Sequence, residues 1–143
     1  MRALTRLLGL LALFALGMGG PAAAQSADAD ALVIRQVIES QMAAFQRDDG
    51  PGAYAFASPT IQQKFGSADI FMEMVRTGYA AVYRPRTVEF RGLHSEGGRL
   101  LQDVFVVGPD GNPALAIYEM QRQPDGSWRI NGCWLTRAPD QSV

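Results

Sequence analysis

Only one histidine, His94, and one cysteine, Cys133, are present among the 143 residues, and this narrows the chemistry open to the chain. A zinc site needs three or four His, Cys or carboxylate ligands at characteristic spacing, and no such set occurs. The patterns G-x-S-x-G, H-E-x-x-H and C-x-x-C and a glycine-rich phosphate loop are all missing. Ser58, His94 and Asp103 have the right types for a nucleophilic triad, but nothing in their spacing brings them together. The pair Asp48-Asp49 could serve as metal ligands or a base, yet it falls at a predicted helix C-terminus and reads as solvated loop acids. Cys133 sits inside a predicted strand and reads as a small packed hydrophobe. The sequence therefore assigns no catalytic residue, no metal and no cofactor.

Binding chemistry is a better match. Arg76, Tyr79 and Tyr83 share one flank of a predicted helix. Gln102 and Tyr118 are the strongly polar side chains on an otherwise oily sheet face. Together the five could line an apolar pocket with a few convergent donors, the usual make-up of a small-ligand site. Arg76 could stack on a tyrosine or pair with a ligand carboxylate. The competing reading is that these groups satisfy one another and that Arg76 pairs with Glu73.

The helix that carries the flank is the run FMEMVRTGYAAVYRPR, residues 71–86. On a helical wheel Phe71, Met74, Val75, Gly78 and Val82 form the core-facing arc. Gly78 in a helix interior costs about 1 kcal/mol relative to alanine, which predicts that another element approaches closely there. Arg84 precedes Pro85 and ends the element.

Other elements must position this helix. Ile34, Val37, Ile38, Met42 and Phe45 recur at helical spacing and predict a first helix, stopped by Gly50-Pro51. A short segment at 53–56 follows. Ser58-Pro59 then starts a second helix that ends at Gly66, and Ser67 caps the third. After Pro85 the period changes to two. Strands are predicted at 87–93, 99–107, 113–122 and 128–136, with a loop at 94–98.

The last three strands are joined by two turns that share Pro-Asp-Gly. This core suits a type I turn followed by a left-handed glycine. The register that follows pairs Val106 with Ala114, Val104 with Ala116, Gln102 with Tyr118 and Met120 with Ile130. Carried on without a break, it also pairs Tyr118 with Gly132 and Ala116 with Trp134. One face then collects Leu100, Gln102, Val104, Val106, Ala116, Tyr118, Ile130, Gly132 and Trp134 under the helices. The other has an apolar end made of Phe105, Leu115, Ile117, Cys133 and Leu135. A polar tail is a poor cover for such a patch, so a sheet-to-sheet homodimer is expected.

Residues 1–24 read as a signal peptide. Arg2 and Arg6 precede the apolar run LLGLLALFALGMG, and Ala22-Ala23-Ala24 offers a cleavage site before Gln25. Residues 25–143 then form a single α+β domain, periplasmic or secreted, that meets a membrane only through the uncleaved leader. The formal net charge is −1 and falls to about −3 without Arg2 and Arg6. A mildly acidic domain without a basic stripe is not a nucleic-acid partner. A lone cysteine gives no internal disulfide, which suits a periplasm better than a eukaryotic secretory route.

The segments IRQVIESQMAAFQRDD, AFASPTIQQKFG, FMEMVRTGYAAVYRP and DGSWRINGCWL span nearly all of this domain. They resemble a proteobacterial family known only as a domain of unknown function (family 4864). The order of helices and strands also resembles the cystatin-like cone of nuclear transport factor two and ketosteroid isomerase. The resemblance implies three N-terminal helices on a curved four-stranded antiparallel meander, a pocket at the open end of the cone, and dimers through the sheet. It implies no activity. An isomerase or dehydratase of this shape would need an inward carboxylate from Asp49, Asp103 or Glu119, and the predicted register puts none on the helix-facing side. Two non-catalytic readings stand against it, the first of them preferred. One is a domain that binds a small apolar ligand or a protein partner. The other is a dimeric accessory subunit of an envelope complex.

Overall fold

The computed structural model describes residues 21–139; the charged start and apolar run of the expected leader lie outside them. Helix α1 (Pro21–Gln46) is followed by α2 (Gly50–Ala55), α3 (Pro59–Phe65), α4 (Ala68–Gly78) and α5 (Ala80–Tyr83). The chain then forms β1 (Thr87–Glu96), β2 (Arg99–Val107), β3 (Pro113–Arg122) and β4 (Trp128–Arg137). The strands make one antiparallel sheet in sequence order, so the fold is α+β with helices preceding an open meander, as expected. Among the described residues no helix is long and apolar enough to cross a membrane.

The helix signals act where the sequence puts them except at Gly50-Pro51, which opens α2 instead of stopping α1, a helix that already ends at Gln46. Ile34, Ile38, Met42 and Phe45 are buried along α1. The Ser58 hydroxyl accepts from Ile61 N at 3.2 Å to start α3, and Ser67 does the same for Ile70 N in α4. Gly66 ends α3 in the left-handed region. The Asp48-Asp49 pair is solvent-exposed at the turn, as expected, but both acids have structural partners. Asp48 makes the corner at φ 53°, and Asp49 caps α2 by accepting from Gly52 N at 2.9 Å.

Two expectations about the helix at 71–86 are corrected. It is not continuous: Tyr79, at φ −134° and ψ 40°, ends α4 and precedes the single turn of α5. Gly78 is exposed, and a Cβ there would meet nothing within 4 Å. Gly78 thus serves the break, where poor helix propensity costs least. The close approach lies elsewhere, at Gly50, where a Cβ would come within 3.1 Å of Met72 Cγ.

In the sheet, the loop expected at 94–98 shrinks to Gly97-Gly98, both at positive φ. Two such glycines close a two-residue hairpin that other residues would strain, so His94, Ser95 and Glu96 remain in β1. The β2–β3 register is the predicted one throughout. Gly111 and Gly126 take φ 83° and 86° in the matching turns.

The β3–β4 register follows prediction only as far as Met120 opposite Ile130. Asn131 is then bulged, and Tyr118 faces Cys133 while Ala116 faces Leu135. The cause is an intruding segment. Ser58 N donates to Ile130 O and Ile130 N to Phe56 O, both at 2.8 Å, and the Ser58 hydroxyl donates to Asn131 Oδ1 at 2.7 Å. A one-residue slip sends every later side chain to the other face. Cys133 and Leu135 therefore turn inward, where both pack against the core.

Candidate functional site

Between the helices and the sheet lies a cavity of about 380 Å³, within the range of small-molecule sites. Phe45 of α1, Ile61 and Phe65 of α3, and Phe71, Met74 and Val75 of α4 form its apolar wall. Val82 of α5 and Ile130 of β4 extend that wall. The break after Gly78 turns Tyr79 toward the sheet, where its hydroxyl donates to the Cys133 carbonyl at 2.9 Å. The polar lining is sparse: Gln41, Lys64, Tyr79, Tyr118 and the Cys133 thiol. Gln41 is occupied, its Nε2 donating to Ala53 O at 3.2 Å.

Tyr118 is the unusual member. It is 1% exposed, and its hydroxyl is the one fully buried side-chain polar atom among the described residues without a hydrogen bond of ordinary geometry, its polar neighbour being the Cys133 thiol. Burial raises its pKa well above the usual phenol range, with the facing Cys133 thiol adding to the effect. Burial also pushes the Cys133 thiol up to about 12. A protonated thiol is a weak acceptor in any case. Both groups are neutral at physiological pH.

Of the five expected pocket residues, the structure brings Tyr79 and Tyr118 to the cavity and takes three away. Gln102 is 4% exposed, and its amide donates to Arg91 O and Asp103 O, both at 2.9 Å. It thereby ties down the bulge where the β1–β2 register shifts between Phe90 and Leu93. Tyr83 and Arg76 close on Asp48. The Tyr83 hydroxyl donates to Asp48 Oδ1, and Arg76 Nη2 lies 3.5 Å from the same oxygen. Arg84 completes the clasp at 3.1 Å from Asp48 Oδ2, while donating to Phe45 O at 2.7 Å. This cluster joins the end of α1 to α5 and is not part of the cavity wall.

The outer sheet face also changes membership. Phe105, Leu115 and Ile117 stay there, Cys133 and Leu135 leave, and Trp134 joins them opposite Ile117. Guanidinium groups partly cover the patch, Arg91 at 5.0 Å from the Phe105 ring centre and Arg99 at 5.6 Å from that of Trp134. Asp103 faces His94 at 3.2 Å, and Glu119 accepts from Asn131 Nδ2 at 3.5 Å. With Asp49 capping α2, none of the three carboxylates lines the cavity. Among the described residues no cluster of three or more His, Cys, Asp or Glu could hold a metal ion.

Sequence reasoning missed Gln41, Lys64 and the inward Cys133. The first two sit at ordinary helix positions with no signal to separate them from surface polarity. Cys133 was within reach only through the bulge, which depends on Ser58, 73 residues away.

The fold and cavity define an α+β domain with a partly open apolar cleft between helices and sheet that has few polar groups. The chain belongs to the family described as a domain of unknown function (DUF4864), which matches residues 27–143. Comparison with curated proteins and with solved structures returns no match.

Proposed function

We propose that the protein is an exported, non-catalytic domain that holds a small apolar molecule between its helices and its sheet. The observation that carries this reading is the cavity of about 380 Å³, walled by aromatic and aliphatic side chains and left unfilled by close packing. A half-open apolar cleft of this size leaves hydrophobic surface in contact with water, which an apolar ligand would cover. The lining supplies no carboxylate, so the proton-transfer alternative lacks the carboxylate base it calls for.

Titration with the neutral probe N-phenyl-1-naphthylamine tests the binding half. Saturable binding at one site is expected, weakened at least about tenfold by Ile61→Trp, which fills the cavity from α3. Binding that is non-saturable or indifferent to this substitution would sink the reading. Export is tested by expressing the full chain in a Gram-negative host and sequencing the product, which should start at Gln25.

A homodimer through the outer sheet face is the second reading. Phe105, Leu115, Ile117 and Trp134 make a continuous apolar strip across β2, β3 and β4, of the kind that associating surfaces present. Sedimentation should show a dimer at micromolar concentration that Leu115→Glu converts to monomer. A monomeric wild type would remove this reading and leave the cavity untouched.

A further inference from the structure

We infer that the occupant of the cleft is an amphiphile with one negative charge, its apolar body lodged between the helices and the sheet and its carboxylate head at Lys64. This rests on the proposed binding function and adds the class of molecule and its orientation. Among the described residues, Lys64 is the one charged side chain on the lining and the one lining residue exposed to solvent, so it marks the mouth. It forms no ion pair among those residues. Its Nζ lies 5.6 Å from the Phe65 ring centre. Phe65 in turn meets Phe71 edge-on at 5.7 Å, and Phe45 lies 6.2 Å beyond. Exposure falls along that row, from half-buried Phe65 to 6% at Phe71 and 2% at Phe45. One end of the cleft is thus cationic and wet, and the wall leading inward from it is aromatic and dry.

The inner wall decides which end of the molecule goes in. Tyr79 and Gln41 already donate to backbone carbonyls, and the Tyr118 hydroxyl is buried beside the Cys133 thiol. A charge carried inward would be stranded without a counterion, which is strongly unfavourable. The head group therefore stays at the mouth while the tail covers the rings. Lysine suits that place, because its flexible four-carbon stem carries a compact charge that can swing over a head group without leaving water. No carboxylate lines the cleft among the described residues, so a cationic amphiphile would meet only the Lys64 ammonium, a like charge. A neutral molecule of the same shape fills the apolar part and gains nothing from Lys64.

The test uses the full chain and three probes that share one tail, octanoate, 1-octanol and octylammonium, each followed by NMR titration at neutral pH. Lys64→Gln should weaken octanoate by about two- to fivefold, as expected for a solvent-exposed ion pair, and leave 1-octanol unchanged. Lys64→Arg should keep the octanoate affinity, and Lys64→Glu should reverse the order of octanoate and octylammonium. In the wild type, a readout that needs no variant to fold, nuclear Overhauser contacts should join the octanoate terminal methyl to the Phe45 ring and its C2 methylene to the Lys64 side chain. Octanoate binding indifferent to Lys64→Gln, an equal loss for octanoate and 1-octanol, or a terminal methyl found at Lys64 would overturn the inference while leaving apolar binding standing. Failure of 1-octanol and N-phenyl-1-naphthylamine to bind would overturn the binding reading itself.

Discussion

Tyr118, fully buried, and Cys133, half-buried, face each other across β3 and β4 at the cavity wall. Both ionise harder in the folded protein than in the unfolded chain. Folding therefore draws stability from their neutral forms. That stability is fully present below the unfolded thiol pKa and is lost as pH rises toward the folded values. The loss should begin near pH 9 for Cys133, whose folded pKa is about 12, and be joined by Tyr118 above about pH 10. Each group gives a slope of about 1.4 kcal/mol per pH unit. Urea midpoints between pH 8 and 11 measure this, and Cys133→Ala should remove the earlier part of the decline.

Tyr118→Phe should leave the unliganded protein as stable as wild type or more so, by about 1 kcal/mol, because it deletes a buried donor that has only the weakly accepting Cys133 thiol beside it and keeps the ring. Thermal denaturation distinguishes this from the loss expected if the hydroxyl held the core together.

Gln102→Leu should cost about 1–3 kcal/mol, since the carbonyls of Arg91 and Asp103 would lose a donor inside the fold. Affinity for N-phenyl-1-naphthylamine should not change. A normal midpoint with weakened probe binding would return Gln102 to the pocket.

The acid side is governed by other groups. The Tyr83 hydroxyl, followed by Arg84 and Arg76, holds the Asp48 carboxyl below its ordinary value. Hydrogen bonds from Asn112 and from Ser127 do the same for Asp110 and Asp125 in the two turns. A depressed folded pKa contributes stability that is present above the unfolded carboxylate pKa of about 4 and lost as pH falls through the folded value. Stability should thus decline below about pH 4, and Tyr83→Phe should flatten that decline. Guanidinium midpoints from pH 6 to pH 2.5 provide the measurement. Tyr83→Phe and Arg76→Ala should both leave probe affinity unchanged, as their side chains belong to the Asp48 clasp.

Local codes in the sequence determined much of the frame. Ser58 and Ser67 start helices because a hydroxyl beside a run of free N–H groups is satisfied within three residues. Pro-Asp-Gly closes hairpins because the glycine alone tolerates the left-handed corner. Two such corners were enough to set Val104 opposite Ala116. What only the tertiary structure decided depends on contacts between distant residues. Ser58 reaches Asn131 and bulges β4, so Cys133 turns inward and Trp134 outward. Asp48 gathers Tyr83, Arg76 and Arg84 from the far end of the next helices, which takes the arginine and tyrosine flank out of the cavity. Tyr79 swings in alone because the helix breaks beneath it. Period and turn chemistry reach a few residues along the chain. The wall of a cavity is chosen by side chains that meet only after folding.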